Sequence, residues 1–285
     1  MKVGVNAIAL SLPFGKASSP KEVVDIVSSS GIGNLTIPVR SPTWGLSPEA
    51  ITPNELTKIA EMIPSSINVS GIGNCWLNES AMITDSPSEW KRNLDYAKKL
   101  CQIAAAFDAQ HIVIGAPGRS VPSGVSYYFG VKKLVKFWKE VCVNAENSDV
   151  MFCVEHSSLA RSNVGNTTKE LIDLVDAVDS PRFEMIAQIG DMAVNDLDIS
   201  NAIRHAGDRI KQVHIADVTG LNPLVDGWAS LMLPGEGNLE FVEIFRALKN
   251  VGYDGEICLE SWIRDDPIST LVDYRKRIEE LWNKA

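Results

Sequence analysis

The chain has 285 residues, 45% of them hydrophobic and 22% charged, with a formal net charge of −9. That is ample apolar material for a large core, and it excludes disorder, a collagen-like repeat and a disulfide mini-scaffold. The acidic balance argues against tracking of a nucleic-acid backbone, and no stretch approaches the roughly 20 consecutive apolar residues that a membrane span needs.

Along the chain, short β-rich apolar runs recur, each followed by a turn and an amphipathic segment. The first, Val3–Ala9, follows a single lysine and runs into Pro13 and Gly15, so it reads as a strand and not as a signal peptide. Leu35–Val39, Ile67–Ile72, His111–Gly115, Val150–Glu155, Phe183–Ile189, Ile210–Ile215 and Gly255–Glu260 complete a set of eight. Helical periodicity fills the intervals over Lys21–Ser30, Glu55–Met62, Glu89–Phe107, Val131–Glu146, Lys169–Val178 and Phe241–Val251. Between the sixth and seventh runs the helical signal is weak. Ile268–Lys284 is amphipathic, as expected of a helix that packs across the wall of the fold.

Dividing 285 residues by eight gives about 36 per unit, the size of one βα repeat of a (β/α) barrel. Val150-Met-Phe-Cys-Val and Gly255-Glu-Ile-Cys-Leu are hydrophobic on both faces, as a parallel sheet requires. An open doubly wound sheet is the rival, but Gly31-Ile-Gly33 precedes a strand and not a helix, so the nucleotide-binding version lacks its phosphate turn. No Pro/Gly/Ser-rich linker divides the sequence. The expected fold is α/β, a single (β/α)8 TIM barrel over residues 1–285 with a C-terminal closing helix. The five cysteines show no CxxC spacing and read as buried thiols of a cytoplasmic protein.

In such a barrel the reactive groups sit where strands end. Glu155 closes the fifth run, Glu260 closes the eighth, His214 lies near the end of the seventh, and Gln188-Ile-Gly-Asp191 follows the sixth. A carboxylate after an apolar strand is often only a helix cap or a solvated loop residue, yet three groups in register are hard to attribute to chance. Two carboxylates and an imidazole at one barrel mouth suit a divalent ion. His111 begins a strand and His205 lies in a predicted helix, so both read as structural. His156 alternates to the opposite face from Glu155, behind any ligand set. Arg40 and Arg119 follow strands two and four and are candidates to clamp a carboxylate or phosphate. Trp44, Trp76, Trp228 and Trp262 fall in loops after strands, with Phe14 after the first, and are expected to form the apolar wall of a ligand pocket.

The run Leu233-Pro-Gly-Glu-Gly-Asn-Leu-Glu-Phe241, continued by Gly252-Tyr-Asp-Gly255 and Leu259-Glu260, resembles the last βα unit of the xylose-isomerase-like sugar isomerase/epimerase superfamily. Val213-His-Ile-Ala-Asp217 is similar to its seventh-strand HxxD motif, and Val154-Glu155 to its fifth-strand glutamate. The resemblance implies a divalent metal, manganese first with magnesium or cobalt as alternatives, held at Glu155, Gln188, His214 and Glu260. It also implies that Glu155 and Glu260 are the catalytic pair that removes and returns a proton through a metal-stabilised enediolate. The expected activity is that of a sugar or keto-sugar isomerase or epimerase. A lyase acting on a keto-sugar, keto-inositol or oxidised glycoside is the alternative, as is a non-catalytic sugar-binding protein. The expected partner is a small sugar, with no nucleic acid and no membrane, and a homo-oligomer fits this kind of barrel by analogy.

Two departures stand out. The superfamily commonly reads Asp-x-x-His where this chain has Gln188-Ile-Gly-Asp191. Either Gln188 ligates through its carbonyl oxygen, Asp191 swings in to replace the missing carboxylate, or the metal is lost; Asp191 is otherwise a substrate-binding candidate. The ketose epimerases also carry an Arg shortly after the seventh-strand His, and here that stretch reads Asp217-Val-Thr-Gly220.

Overall fold

All eight apolar runs become staves of one closed parallel barrel. The computed structural model describes residues 1–75, 82–116, 118–145, 148–219, 231–263 and 266–285. The staves are β1 (Lys2–Asn6), β2 (Asn34–Pro38), β3 (Asn68–Gly73), β4 (His111–Ile114), β5 (Met151–Glu155), β6 (Phe183–Gln188), β7 (Ile210–Ile215) and β10 (Glu256–Leu259), each paired with the next. Closure comes from β10, which pairs with β7 on one side and β1 on the other.

Between the staves run α1 (Pro20–Ser30), α2 (Pro53–Ala60), α3 (Pro87–Ala106), α4 (Tyr127–Asn144), α5 (Thr168–Val178), the pair α6 (Ile189–Asn195) and α7 (Ile199–Ala206), and α8 (Phe241–Asn250). Their starts are written in the sequence. Ser19 caps α1 ahead of Pro20, and Thr52 with Glu55 and Thr167 with Glu170 form reciprocal capping boxes on α2 and α5. Gly31 ends α1 at φ 71°, a left-handed position that glycine adopts without strain.

The main core lies between barrel and helices. Trp138 of α4 sits within 5.2–5.4 Å, centroid to centroid, of Phe137, Phe152 and Phe183, which fastens α4 to β5 and β6. The closing helix, α9 (Pro267–Lys284), buries Leu271, Tyr274 and Ile278, and the Tyr274 hydroxyl donates to the Ile257 carbonyl at 3.2 Å.

Two features depart from the sequence reading. The weak segment between the sixth and seventh runs is two short helices, because β6 passes into α6 with no loop and Asp198 then starts α7. A two-residue hairpin, β8 (Asp217–Val218) with β9 (Leu231–Met232), was too short to show periodicity.

Inside the barrel the packing is unusually polar. Thr36, Ser70, Gln212, His214, Glu256 and Glu260 are buried, where barrels of this type mostly hold branched apolar side chains. Gly4 makes room for one of them: a Cβ there would lie 1.7 Å from Glu256 Oε1.

Candidate functional site

Each βα unit delivers its last strand residue to the same end of the barrel, and the structure gathers Glu155, His214 and Glu260 there. One ligand atom from each lies within 4.8 Å of the others. His214 Nδ1 is 2.8 Å from Glu260 Oε2 and 3.4 Å from Glu155 Oε2. All three side chains are buried. Burial alone would push the imidazole pKa down, but the pull of Glu260 and Glu155 overrides it and raises it to about 10. Burial likewise opposes ionisation of Glu260, and His214 overcomes it to hold that carboxyl below the usual range.

Among the described residues the buried Glu155 Oε2 meets no well-aligned hydrogen-bond donor, although His214 Nδ1 stands 3.4 Å away. An orphaned oxygen aimed at a second carboxylate and an imidazole nitrogen is the donor set that a divalent ion would complete, so these residues fit one.

Gln188 belongs to the cluster in an orientation other than the one expected of a ligand. As the residue that ends β6 and caps α6, it accepts the Asp191 N–H at Oε1 over 3.3 Å. Its Nε2 therefore faces Glu260 Oε2, also at 3.3 Å. The carbonyl oxygen proposed as a ligand is engaged with the backbone, and the amide donates to the carboxylate instead. Asp191 does not swing in either: it pairs with Arg161 at 2.6 Å, and burial raises its pKa to about 6.

The other candidates separate. Arg119 is 1% exposed and donates to the carbonyls of Ile114, Glu155, Val164 and Gly165. It is a tie between the loops after β4 and β5 and not an open clamp, and burial lowers its pKa to about 10. Arg40 is held by Glu49 at 3.3 Å and by the Tyr96 hydroxyl at 3.1 Å. Trp44 is 1% exposed, with its indole N–H on Ser11, so it is a core residue and not a pocket wall. Trp262 does reach the mouth, where it packs on the half-exposed Phe14 and lines a small cavity with Ile8, Leu231 and Glu260. Trp76 and Trp228 lie outside the described residues. The histidines read as structural stay outside the cluster, and His156 sits behind it, hydrogen-bonded to Thr168.

Three residues escaped the sequence reading. Asn6, which ends β1, accepts the Ile8 N–H and so turns its amide to Glu260 Oε1 at 3.1 Å. Arg161 reaches the mouth from the loop after β5. Gln212 lies two residues before His214 and contacts its Nε2. The period of two along β1 and β7 was the signal available for Asn6 and Gln212. The Asp of the HxxD motif serves the scaffold: the Asp217 carboxylate accepts backbone N–H groups from Val218, Gly235, Gly237 and Leu239. That explains the glycines of Pro234-Gly-Glu-Gly237, since a Cβ on Gly237 would lie 2.3 Å from Asp217 Oδ1.

Comparison with known proteins adds a family. The model for the xylose isomerase-like TIM barrel matches residues 27–281. Among curated proteins, the D-psicose 3-epimerase of Enterocloster bolteae is 28% identical over 131 residues, 46% of this chain and 40% of that protein. The fructoselysine 3-epimerase of Escherichia coli O157:H7 is 24% identical over 170 residues, 60% of this chain and 59% of that one. The match to the curated psicose epimerases thus spans about two fifths of their length. Among solved structures, D-psicose 3-epimerase from Clostridium cellulolyticum H10 superposes with a TM-score of 0.82 at 19% identity, covering 99% of both chains. A 3-keto-D-glucoside 4-epimerase from E. coli superposes at 0.74 with 16% identity, covering 98% of this chain and 99% of that one.

Proposed function

The chain belongs to the xylose isomerase-like TIM barrel family, and from that premise we propose that it is a divalent-metal-dependent sugar epimerase or isomerase acting on a keto-sugar. The observation that carries this reading is the convergence of Glu155, His214 and Glu260, two carboxylates and an imidazole with ligand atoms within 4.8 Å, at one end of the barrel. The curated relatives named as 3-epimerases support it.

Glu155, His214 and Glu260 would hold the ion, manganese first. When bound, such an ion polarises a carbonyl and an adjacent hydroxyl, which makes the neighbouring C–H more acidic. The proton is then moved by the carboxylates. Asn6 and Gln188 donate to Glu260, favour its ionised form and fix its orientation, and His214 Nδ1 donates to it as well until an ion takes that nitrogen. Glu155 would give its Oε2 to the ion and is the second carboxylate available to take up a substrate proton. In this reading one carboxylate removes a proton from carbon and the other returns one from the opposite face. The Phe14–Trp262 pair offers an apolar surface at the mouth to a sugar ring or chain.

Keto-sugars incubated with the Mn2+-loaded protein in deuterated water provide the test. Epimerisation or isomerisation incorporates solvent deuterium at carbon without loss of a hydroxyl. Loss of a hydroxyl would make the protein a lyase on the same scaffold. Absence of any exchange across ketopentoses, ketohexoses and their phosphates would leave a sugar-binding protein.

A further inference from the structure

His214 has two ring nitrogens, and the proposed function uses only Nδ1. The other, Nε2, lies 3.3 Å from Gln212 Oε1. Both residues are fully buried on the same face of β7, two positions apart, so the contact is built into the strand.

The direction of the Gln212 amide is set from below. Its Nε2 lies 3.3 Å from Thr36 Oγ1 and 3.4 Å from Ser70 Oγ. The Ser70 hydroxyl gives its hydrogen to the Leu35 carbonyl at 3.3 Å and also stands 3.5 Å from Thr36 Oγ1, so toward Gln212 it offers a lone pair and receives a hydrogen bond from the amide. The NH2 end of Gln212 is thereby committed toward the barrel floor and its carbonyl toward the imidazole.

We propose that Gln212 is a positioning residue for His214: its side-chain carbonyl keeps a hydrogen on Nε2 and so reserves Nδ1 for the ion between Glu155 and Glu260. In the ion-free protein Nδ1 also carries a hydrogen, donated to Glu260, and an unanchored imidazole would rotate, or give up the Nε2 hydrogen and keep the one on Nδ1, where it blocks the site. A partner on the second nitrogen fixes both tautomer and ring plane. The inference rests on the reading of His214 as an ion ligand. It extends the functional site from the mouth into the polar interior of the barrel.

The test is Mn2+ affinity, read from free Mn2+ by electron paramagnetic resonance, in the wild type, in Gln212→Met and in the exchange variant Gln212→Glu with Glu256→Gln. The exchange keeps an acceptor against His214 and preserves the total charge. Gln212→Met is expected to weaken Mn2+ binding about 10–100-fold at a melting temperature that still reports a folded barrel, and the exchange to recover most of that loss. Ser70→Ala, which frees one anchor of the amide without touching the imidazole, is the second variant, with a loss of about threefold or more. Wild-type affinity in Gln212→Met and Ser70→Ala, or an exchange variant no better than Gln212→Met, overturns the proposal. A wild type that binds no Mn2+ overturns the metal reading itself, and the role of Gln212 falls with it.

Discussion

Gln188 Nε2 donates to Glu260 Oε2 across 3.3 Å, in the place where its superfamily resemblance leads one to look for a metal-binding carboxylate. The same side chain caps α6 through Oε1, so its only carbonyl oxygen is already engaged. An aspartate has two equivalent oxygens and would serve cap and ion together. Gln188→Asp is therefore expected to strengthen Mn2+ binding by about tenfold or more, since it adds an anionic oxygen beside Glu260. Gln188→Ala should weaken it more than Asp191→Asn does, because Gln188 touches Glu260 whereas Asp191 is tied to Arg161. Titration calorimetry of the three variants checks both statements; the reverse order of the last two would make Asp191 the ligand.

Glu155→Gln and Glu260→Gln are each expected to lower turnover by roughly 10²–10⁴-fold, the range for loss of a positioned acid or base. Neither should unfold the barrel. Each amide nearly preserves shape, and at Glu260 it relieves the burial of a charge at the cost of the bond from Asn6 or of those from Gln188 and His214. Deuterium exchange into the substrate separates the two roles: a variant that still washes out the substrate proton but forms no epimer has lost only the returning group. Full turnover by either variant would exclude the two-carboxylate assignment.

The architecture was legible because strand ends, proline-led helix starts and capping residues are local signals, and each of the eight runs became a stave. Glu155, His214 and Glu260 were legible for the same reason, since a polar residue closing an apolar run is visible without coordinates. What sequence could not supply was orientation. Arg119 and Trp44 lie in loops after strands, as candidates for a pocket should, but those loops fold inward and bury both side chains. Gln188 was identified by position, while the turn of its amide is decided by the Asp191 N–H, a backbone group with no signature in the sequence.

For Arg119, the burial has a measurable consequence. Its guanidinium satisfies four carbonyls, from the ends of β4 and β5 and from the loop after β5. Arg119→Met leaves those acceptors unpaired and should cost about 3 kcal/mol or more of unfolding free energy in urea melts. KM for a sugar substrate in the folded fraction should change little. A raised KM with unchanged stability would restore the clamp role that its position after strand four suggested.

Two histidines outside the cluster, the buried His156 and the partly buried His111, weaken the fold in acid. His156 Nδ1 faces the Gln188 N–H at 3.4 Å, and its Nε2 lies 2.9 Å from Thr168 Oγ1, whose own hydrogen goes to Asp196. The ring therefore carries its hydrogen on Nε2, and a second on Nδ1 would meet a donor. Burial pushes the pKa of His156 down to about 3 and that of His111 to about 4. Both values lie below the ordinary 6.5, so between those limits the unfolded chain binds protons that the folded chain refuses. The stability these rings provide is thus fully present above pH 6.5 and is lost as pH falls toward 4 and 3. At pH 5 the loss is about 2 kcal/mol for each histidine. Asp191, at about 6, and His214, at about 10, shift the balance the other way over the same range, so the histidine share shows only against a variant. In urea melts the change between pH 7.5 and pH 5 is expected to be less unfavourable by about 2 kcal/mol in His111→Asn than in the wild type. An equal change in the two proteins would mean that the His111 imidazole is already charged or solvated in the folded protein.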